Sequence, residues 1–314
     1  MSIFYGPVLS RRFGYSLGVD IIPYKICSYD CTYCQLGKTT TKTINRKSYV
    51  KINLEEFKYS LCSIIDKNER IDYITFSGSG EPTLNKNIGT LIKQVKSITD
   101  IPVAVLTNGS LLNKKGVIDD IKKADLIKVS MDAPDQKYLQ KINRPHPDIK
   151  FASLSEGLNL LLNTFKGKVW LEIMLIKGIN DSLETAYEFE AFLKNLQDIS
   201  PGSSIEKIHL NTPVRPPGSR KVFVPDHDRL LEIKKILGKK AELIKELDIE
   251  ITGNKDKSLT NNIIELARRR PVTSRDISKS LMVNTNEVIK CLKPLLEQEK
   301  IKFKVHNNER FYYK

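Results

Sequence analysis

Cysteine is scarce in this chain, five residues in 314, and the amino-terminal stretch Met1-Ser2-Ile3-Phe4-Tyr5-Gly6-Pro7 lacks the basic and then apolar design of a secretory signal. Both absences argue against a disulfide framework and make a reducing cytoplasm the expected home. No apolar run approaches the ~20 residues needed to cross a bilayer, so no membrane association is expected. Acidic residues are also short: 37 Asp and Glu face 51 Lys and Arg, a net charge of +14. Such an excess favours an anionic partner such as nucleic acid, although a lysine-rich coding bias would give the same number. A chain of this length can bury one large core or two ordinary ones.

Three of the five cysteines, Cys27, Cys31 and Cys34, fall within eight residues, in Ile26-Cys27-Ser28-Tyr29-Asp30-Cys31-Thr32-Tyr33-Cys34-Gln35. Thiolates are soft ligands for zinc or iron–sulfur clusters. Three of them in one loop can hold three corners of a [4Fe–4S] cube and leave the fourth iron open to a small molecule. The competing readings fit less well. A helical stripe of cysteines is a rare way to build an apolar face. A structural zinc site needs four closed ligands, and no second cysteine pair or nearby histidine supplies the fourth. Cys62 and Cys291 are solitary, lie in apolar helical patterns, and are expected to be buried.

This Cys-x3-Cys-x2-Cys arrangement, with Tyr33 before the last cysteine, resembles the signature of the radical S-adenosylmethionine (SAM) superfamily. The resemblance implies a [4Fe–4S] cluster whose open iron chelates SAM. It also implies an external electron donor, one electron from which cleaves SAM to methionine and a 5′-deoxyadenosyl radical. That radical abstracts hydrogen from a substrate.

Residues 18–210 alternate between strands and helices. Strands are predicted at Gly18–Pro23, Asp72–Phe76, Val103–Leu106, Leu126–Ser130, Val169–Ile176 and Ile205–Leu210. Helices are predicted near Leu54–Ile65, Ile88–Val95, Val117–Lys123, Leu154–Asn163 and Leu183–Leu196. Alternation of this kind implies an α/β fold of parallel strands with crossover helices, here a partial (β/α)6 barrel. Chemistry in such barrels gathers where the strands end, and the further motifs all follow a strand.

After the second strand, Ser77-Gly78-Ser79-Gly80-Glu81-Pro82 is similar to the Gly-Gly-Glu-Pro segment that holds the SAM amino group, with Ser79 in place of the first glycine. It could equally be an ordinary Gly-rich turn. Thr107-Asn108-Gly109 is a strand-to-loop turn of the sort these barrels use near SAM, or a plain Asn-Gly turn. Ser130 and Asp132 share a side of the fourth strand. The resemblance implies a polar contact there to the SAM ribose or carboxylate, and a cap for the next helix is the competing role for Asp132. Arg144 could pair with a carboxylate or stay solvated.

Met174 to Asp181 resembles a Gly-x-Ile-x-Gly-x-x-Glu motif whose isoleucine packs on adenine, with Ile176 and Gly178 matching and Met174 and Asp181 departing. Asn211, at the end of the sixth strand, stands where backbone groups read the adenine edge. The implied SAM contacts are therefore Tyr33, Gly80, Glu81, Ser130, Asp132, Ile176, Gly178 and Asn211. His209 reads as a hydrogen-bonded core residue.

The tail divides differently. Residues 1–225 read as the barrel and 226–254 as a charged helix (226–246) with a linker. Residues 255–314 read as three short helices and a hairpin that resemble a winged helix-turn-helix. From Asn261 onward twelve Lys and Arg stand against six Asp and Glu. In a nucleic-acid reader the third helix enters a groove and the wing touches backbone, which makes Lys290, Lys293, Lys302, Lys304 and Arg310 candidate phosphate contacts. Winged helices also dock proteins and peptides. A second basic stretch, Lys38 to Lys51, could line a substrate entrance or be a solvated loop.

The first 60 residues, with Ser10-Arg11-Arg12 and Leu17-Gly18-Val19-Asp20, most resemble the branch that includes wyosine-type tRNA-modifying enzymes, though no cysteines remain for a second cluster. The function expected is a radical SAM enzyme acting on RNA, tRNA in particular. Its rivals are a radical SAM enzyme acting on a protein or peptide and, from another class, an iron–sulfur regulator that binds DNA.

Overall fold

The computed structural model describes residues 3–68, 70–199, 205–217, 222–244 and 259–314. An eight-stranded sheet organises the chain. Its strands are β1 (Phe4–Ser10), β2 (Gly14–Val19), β5 (Tyr73–Phe76), β6 (Val103–Thr107), β7 (Leu126–Ser130), β8 (Lys168–Met174), β9 (Ile205–Asn211) and β10 (Ala241–Leu243), side by side in that order. Two further two-residue strands, β3 (Ile26–Cys27) and β4 (Thr41–Lys42), pair with each other. Within the large sheet, among the described residues, every pairing from β2 to β10 is parallel and the β1–β2 hairpin is antiparallel. Because β1 and β10 remain edges, the sheet is a partial barrel.

Helices α1 (Leu54–Lys67), α2 (Ile88–Ile98), α3 (Val117–Ile121), α5 (Phe151–Thr164), α6 (Leu183–Ile199) and α7 (His227–Leu237) follow successive strands, with a single turn α4 (Gln136–Tyr138) between β7 and α5. The strands bury both faces, so they read as near-continuous apolar runs rather than alternating ones. Leu17, Ile74, Val105, Ile127, Leu171 and Leu210 point outward into the main core, where they meet Leu61, Leu91, Leu158 and Phe189 of the helices. Their neighbours in sequence point to the concave face. There Phe13, Ala104, Leu126 and Trp170 form a separate apolar plug, with Phe13 stacked on Trp170 at 5.4 Å. Above the plug the concave face turns polar: Lys128, Glu172 and His209, then Ser130 and Asn211.

Three departures from expectation have physical causes. The first parallel strand is Gly14–Val19 rather than Gly18–Pro23. Gly14, at φ +63, starts it after the tight turn from β1, a strand unread in the sequence. The charged helix expected over 226–246 ends at Leu237. Gly238, at φ +82, turns the chain into β10, which extends the sheet, while residues 245–258 and the expected linker lie outside those described. Cys62 and Cys291 are half-buried rather than fully buried.

The last unit comprises α8 (Leu259–Arg269), α9 (Ser274–Leu281), α10 (Thr285–Glu297) and the hairpin β11 (Lys302–His306) to β12 (Glu309–Tyr313). Thr273 and Asp276 close a reciprocal cap on α9. Ile263, Ile277, Val288 and Leu292 form its core, and Val8 of β1 belongs to the same cluster. Helices α8 and α9 thus pack directly on the first strand of the barrel. No helix among the described residues is long and apolar enough to cross a membrane.

Candidate active site

Cys27 lies on β3, and Cys31 and Cys34 follow in turns. The loop is clamped from three directions by backbone bonds. Asp30 N and Thr32 N donate to the carbonyls of Asn143 (3.0 Å) and Ile142 (2.8 Å), Thr43 N donates to Cys27 O (3.0 Å), and Lys25 N donates to Ser79 O (2.7 Å). Thr39 N also reaches Asp30 Oδ1 at 2.8 Å. Arg144, in the left-handed region at φ +44, pairs with Asp30 at 3.3 Å rather than standing in solvent.

Each of the three sulfurs receives one N–H donor. Asn108 Nδ2 lies 3.6 Å from Cys27 Sγ, Asn143 Nδ2 3.4 Å from Cys31 Sγ, and Lys25 Nζ 3.2 Å from Cys34 Sγ. Lys25 is 3 % exposed, an unusual burial for a lysine. Burial pushes the Cys27 thiol up to about 12, and the Glu81 carboxylate adds to the shift; the Cys31 thiol is likewise raised, by burial and then by Asp132. The loop therefore concentrates groups that resist becoming anionic together. A bound cationic centre would relieve that repulsion, which is the environment an iron cluster on thiolates requires. Among the described residues, no three His, Cys, Asp or Glu side chains close on a point that would hold a single metal ion.

The β5 loop is built around two buried carboxylates. Glu81, 2 % exposed, accepts from Thr83 N (3.1 Å), Thr83 Oγ1 (2.7 Å), Thr107 Oγ1 (2.6 Å) and Asn108 N (2.7 Å). Burial still holds its carboxyl above the usual range. It ties the β5 loop to the β6 loop, and its oxygens are spent on protein donors. Gly80 has no room for a side chain: a Cβ there would lie 1.9 Å from Ile26 O. Ser79 explains itself through Asp20, which accepts from Ser79 N (3.1 Å) and Ser79 Oγ (2.5 Å).

Asp132 accepts a very short bond from Tyr33 Oη, one from Asn143 Nδ2 (2.7 Å) and one from Met174 N (2.9 Å). Its carboxyl is raised by burial, and the Tyr33 phenol is raised well above its ordinary value by burial and then by Asp132. The helix cap proposed as its rival role belongs to Asp135, whose carboxylate accepts from Tyr138 N at 2.8 Å. Tyr33, Asp132, Asn143 and Cys31 thus form one continuous chain of contacts.

Ile176 is fully enclosed by Ile142, Met174 and Val222, with Tyr33 packed against the cluster. Gly178, at φ +71, turns the loop after β8, and its N–H donates to Asp181 Oδ1 at 2.8 Å. Ser130 stands at the end of β7, 3.4 Å from Lys128 Nζ. Asn211 Oδ1 accepts from Arg11 Nη2 at 3.1 Å. The structure thus joins Tyr33, Gly80, Glu81 and Asp132 to the cysteine loop, and leaves Ser130 and Asn211 on the concave face beside it.

Below this level lies a charged layer. Glu172 sits 2.9 Å from Lys128 Nζ and 2.5 Å from Arg12 Nη2. Burial would raise its carboxyl, but the two cations outweigh that and hold it at about 2. His209 is lowered to about 4 by burial and packs edge-on against Trp170 at 4.9 Å. In the last unit Lys290, Lys293, Lys302 and Arg310 are exposed, whereas Lys304 turns inward and donates to Pro217 O at 3.2 Å. Lys304 is thus removed from the outward phosphate contacts. Arg46 of the basic stretch is likewise folded in, paired with Asp120 at 2.5 Å.

Comparison with known proteins gives a consistent frame. Residues 21–189 match the family model described as "Radical SAM superfamily". A UPF0026 protein of Methanocaldococcus jannaschii is 33 % identical over 323 residues, covering 100 % of this chain and 96 % of its own length. A UPF0026 protein of Helicobacter pylori is 32 % identical over 314 residues, covering 99 % and 97 %. A Brachyspira hyodysenteriae protein named GTPase Obg is 36 % identical over 98 % of this chain, but the chain spans only 44 % of that protein's length. In fold, the chain is similar to a radical SAM methyltransferase from Sphaerobacter thermophilus, at 19 % identity and a TM-score of 0.52, covering 73 % of this chain and 66 % of that one.

Proposed function

We propose, since the chain belongs to the radical SAM superfamily and is a radical SAM enzyme with a [4Fe–4S] cluster and SAM as its cofactors, that Cys27, Cys31 and Cys34 are the cluster ligands and that the substrate is an RNA. When bound, cluster and SAM supply reductive cleavage of SAM to a 5′-deoxyadenosyl radical, with the electron coming from an external donor. The observation that carries the ligand assignment is the set of three N–H donors, one to each sulfur, in a loop held from three sides. Donors of this kind stabilise thiolate charge and tune the potential of a cluster.

The other residues act on position and charge. Gly80 lets the β5 loop press against Ile26, next to the first ligand, and its backbone would meet the SAM amino group. Glu81 holds that loop and the β6 loop together rather than pairing with SAM itself. Asp132, steered by Tyr33 and Asn143, and Ser130 would face the ribose and carboxylate. Ile176, Gly178 and Asn211 shape the wall beyond them, on the adenine side.

The RNA reading is supported by the last unit, whose three helices and hairpin we read as a winged helix, with Lys290, Lys293, Lys302 and Arg310 exposed. Kinship to wyosine-type tRNA-modifying enzymes is the finer form of this reading, and peptide modification is its rival. Anaerobic reconstitution tests the chemistry: about four irons per chain and 5′-deoxyadenosine after reduction are expected. Intact SAM, or methylated products alone, would overturn it. Co-purified nucleic acid identified by sequencing tests the substrate, and an acidic peptide retained instead would favour the rival.

A further inference from the structure

The two edges of the sheet, β1 and the β9–β10 side, lie at opposite ends of the strand order, yet they approach each other at one cavity. Arg11, in the turn after β1, and Arg215, four residues beyond β9, line it together. Helix α9 closes it from outside with Arg275, Asp276 and Lys279, and Glu309 of the hairpin completes the rim. The cavity offers about 70 Å³, several times the ~10–15 Å³ that a single water needs.

Among the described residues, four cationic side chains line it beside two acids. The Arg11 guanidinium is lowered to about 10 by burial, then by Arg215 and Arg12. Asp276 lies 3.9 Å from Arg215; burial would raise its carboxyl, but that arginine, the bond from Thr273 N and Arg270 hold it low. Arg11 also donates to Asn211 Oδ1 at 3.1 Å, which ties the cavity to the concave face where Asn211 follows His209.

We infer that this seam is a phosphate site, and that its occupant is a backbone phosphate of the RNA substrate, threaded between the barrel and its last unit. Guanidinium groups match phosphate oxygens in pairs. A phosphate held here directs its nucleoside toward the concave face beside Ser130 and Asp132. Two of the four cations come from α9, so the site is complete only with the last unit docked on β1. The inference rests on the RNA reading above and adds the entry route.

The experiment compares three full-length reconstituted proteins: wild type, Arg275→Gln/Lys279→Gln in the seam, and Lys290→Gln/Lys293→Gln on the outer face of α10. Circular dichroism and iron content check that each is folded. Binding of a fluorescent single-stranded RNA is followed by anisotropy across a salt series. The seam variant is expected to lose roughly 0.7 from the log–log salt slope, the share of the one phosphate held there. An unchanged slope in the seam variant, with wild-type RNA binding intact, overturns the seam and leaves the RNA reading standing. A wild type that binds no RNA overturns the RNA reading. Tripolyphosphate then decides the seam on its own. A rise in melting temperature in wild type but not in the seam variant upholds a phosphate site for a smaller ester, and no rise in either removes it.

Discussion

Arg269 Nη1 lies 2.8 Å from Oδ2 of Asp20, a contact between residues 249 apart in sequence. The same carboxylate holds Ser79 N and Ser79 Oγ, so one side chain joins the last unit to the β5 loop beside the cysteines. Both partners are largely buried, the Asp20 side chain at 4 % exposure and that of Arg269 at 16 %. The Arg269 guanidinium also lies over the Tyr5 ring at 5.2 Å.

Asp20→Ala should therefore damage two places at once. Removing one member of a buried pair costs about 3–5 kcal/mol, and here it also frees the Ser79 amide. Urea unfolding should show a loss of that order, and equilibrium dialysis should show weaker SAM binding. Arg269→Gln should lower stability less, because it leaves the Ser79 bonds in place. Equal SAM affinity in wild type and Asp20→Ala would remove the proposed coupling to the β5 loop.

Acid sensitivity follows from the charged layer. Burial keeps His209 neutral, at about 4 against an ordinary 6.5, so the unfolded chain takes up this proton first as pH falls. Its share of stability is present above 6.5 and is lost toward 4. Glu172, held at about 2 against 4.5, contributes stability that is present above 4.5 and lost as pH falls toward 2. Each share is of the order of 3 kcal/mol. Unfolding midpoints at pH 7.5, 5.5 and 4 should fall in sequence. A Glu172→Gln chain should be weaker at pH 7.5 and should show no further loss from this carboxyl below 4.5.

Gly80→Ala should disturb the metal loop without touching a ligand. The new methyl would sit 1.9 Å from Ile26 O, a backbone atom that cannot swing aside. Ile26 must shift, and Cys27 with it. Reconstituted iron should fall well below that of wild type, whereas Gly116→Ala, at φ +81 with nothing within 4 Å, should retain full iron and lose only about 1 kcal/mol of stability. Equal iron in the two variants would contradict the role given to this contact.

Replacement of Cys27, Cys31 or Cys34 by Ala should each abolish the visible absorption of the cluster. Cys62→Ala and Cys291→Ala should leave it unchanged, since these residues sit on α1 and α10, away from the loop. Lys25→Met should keep the cluster and shift its midpoint potential downward, because it removes the cation 3.2 Å from Cys34 Sγ. Potentiometry with electron paramagnetic resonance reads that shift, and an unchanged potential would mean that Lys25 points elsewhere once iron is bound.

The thiol spacing and five of the six expected parallel strands were legible because both are local signals, a short loop in one case and runs of buried apolar residues in the other. The edges were not. Strand β1 carries Gly6 and Pro7, which interrupt any strand pattern, and Val8 gains its cover from residues beyond 259. Strand β10 spans three residues and is defined only by pairing to β9. Nothing in the local sequence marks Lys25, whose burial comes from the fold. No local pattern assigns a role to Asp20 or Asn143, because their partners lie far along the chain: Ser79 and Arg269 for one, Cys31 for the other.

The docking of α8 and α9 on β1 also bears on how the molecule comes into being. Strand β1 leaves the ribosome well before it can be covered, because apolar partners of Val8, Ile263 and Ile277 among them, are made more than 250 residues later. Throughout elongation the barrel carries a naked edge, and the Asp20 carboxylate waits without its arginine. Uncovered edges of this kind invite pairing with other chains. A chain that stops short of residue 259 would keep all three clustered cysteines yet stay sticky, and its partition into the insoluble fraction, rather than its iron content, is where the missing end would first be felt.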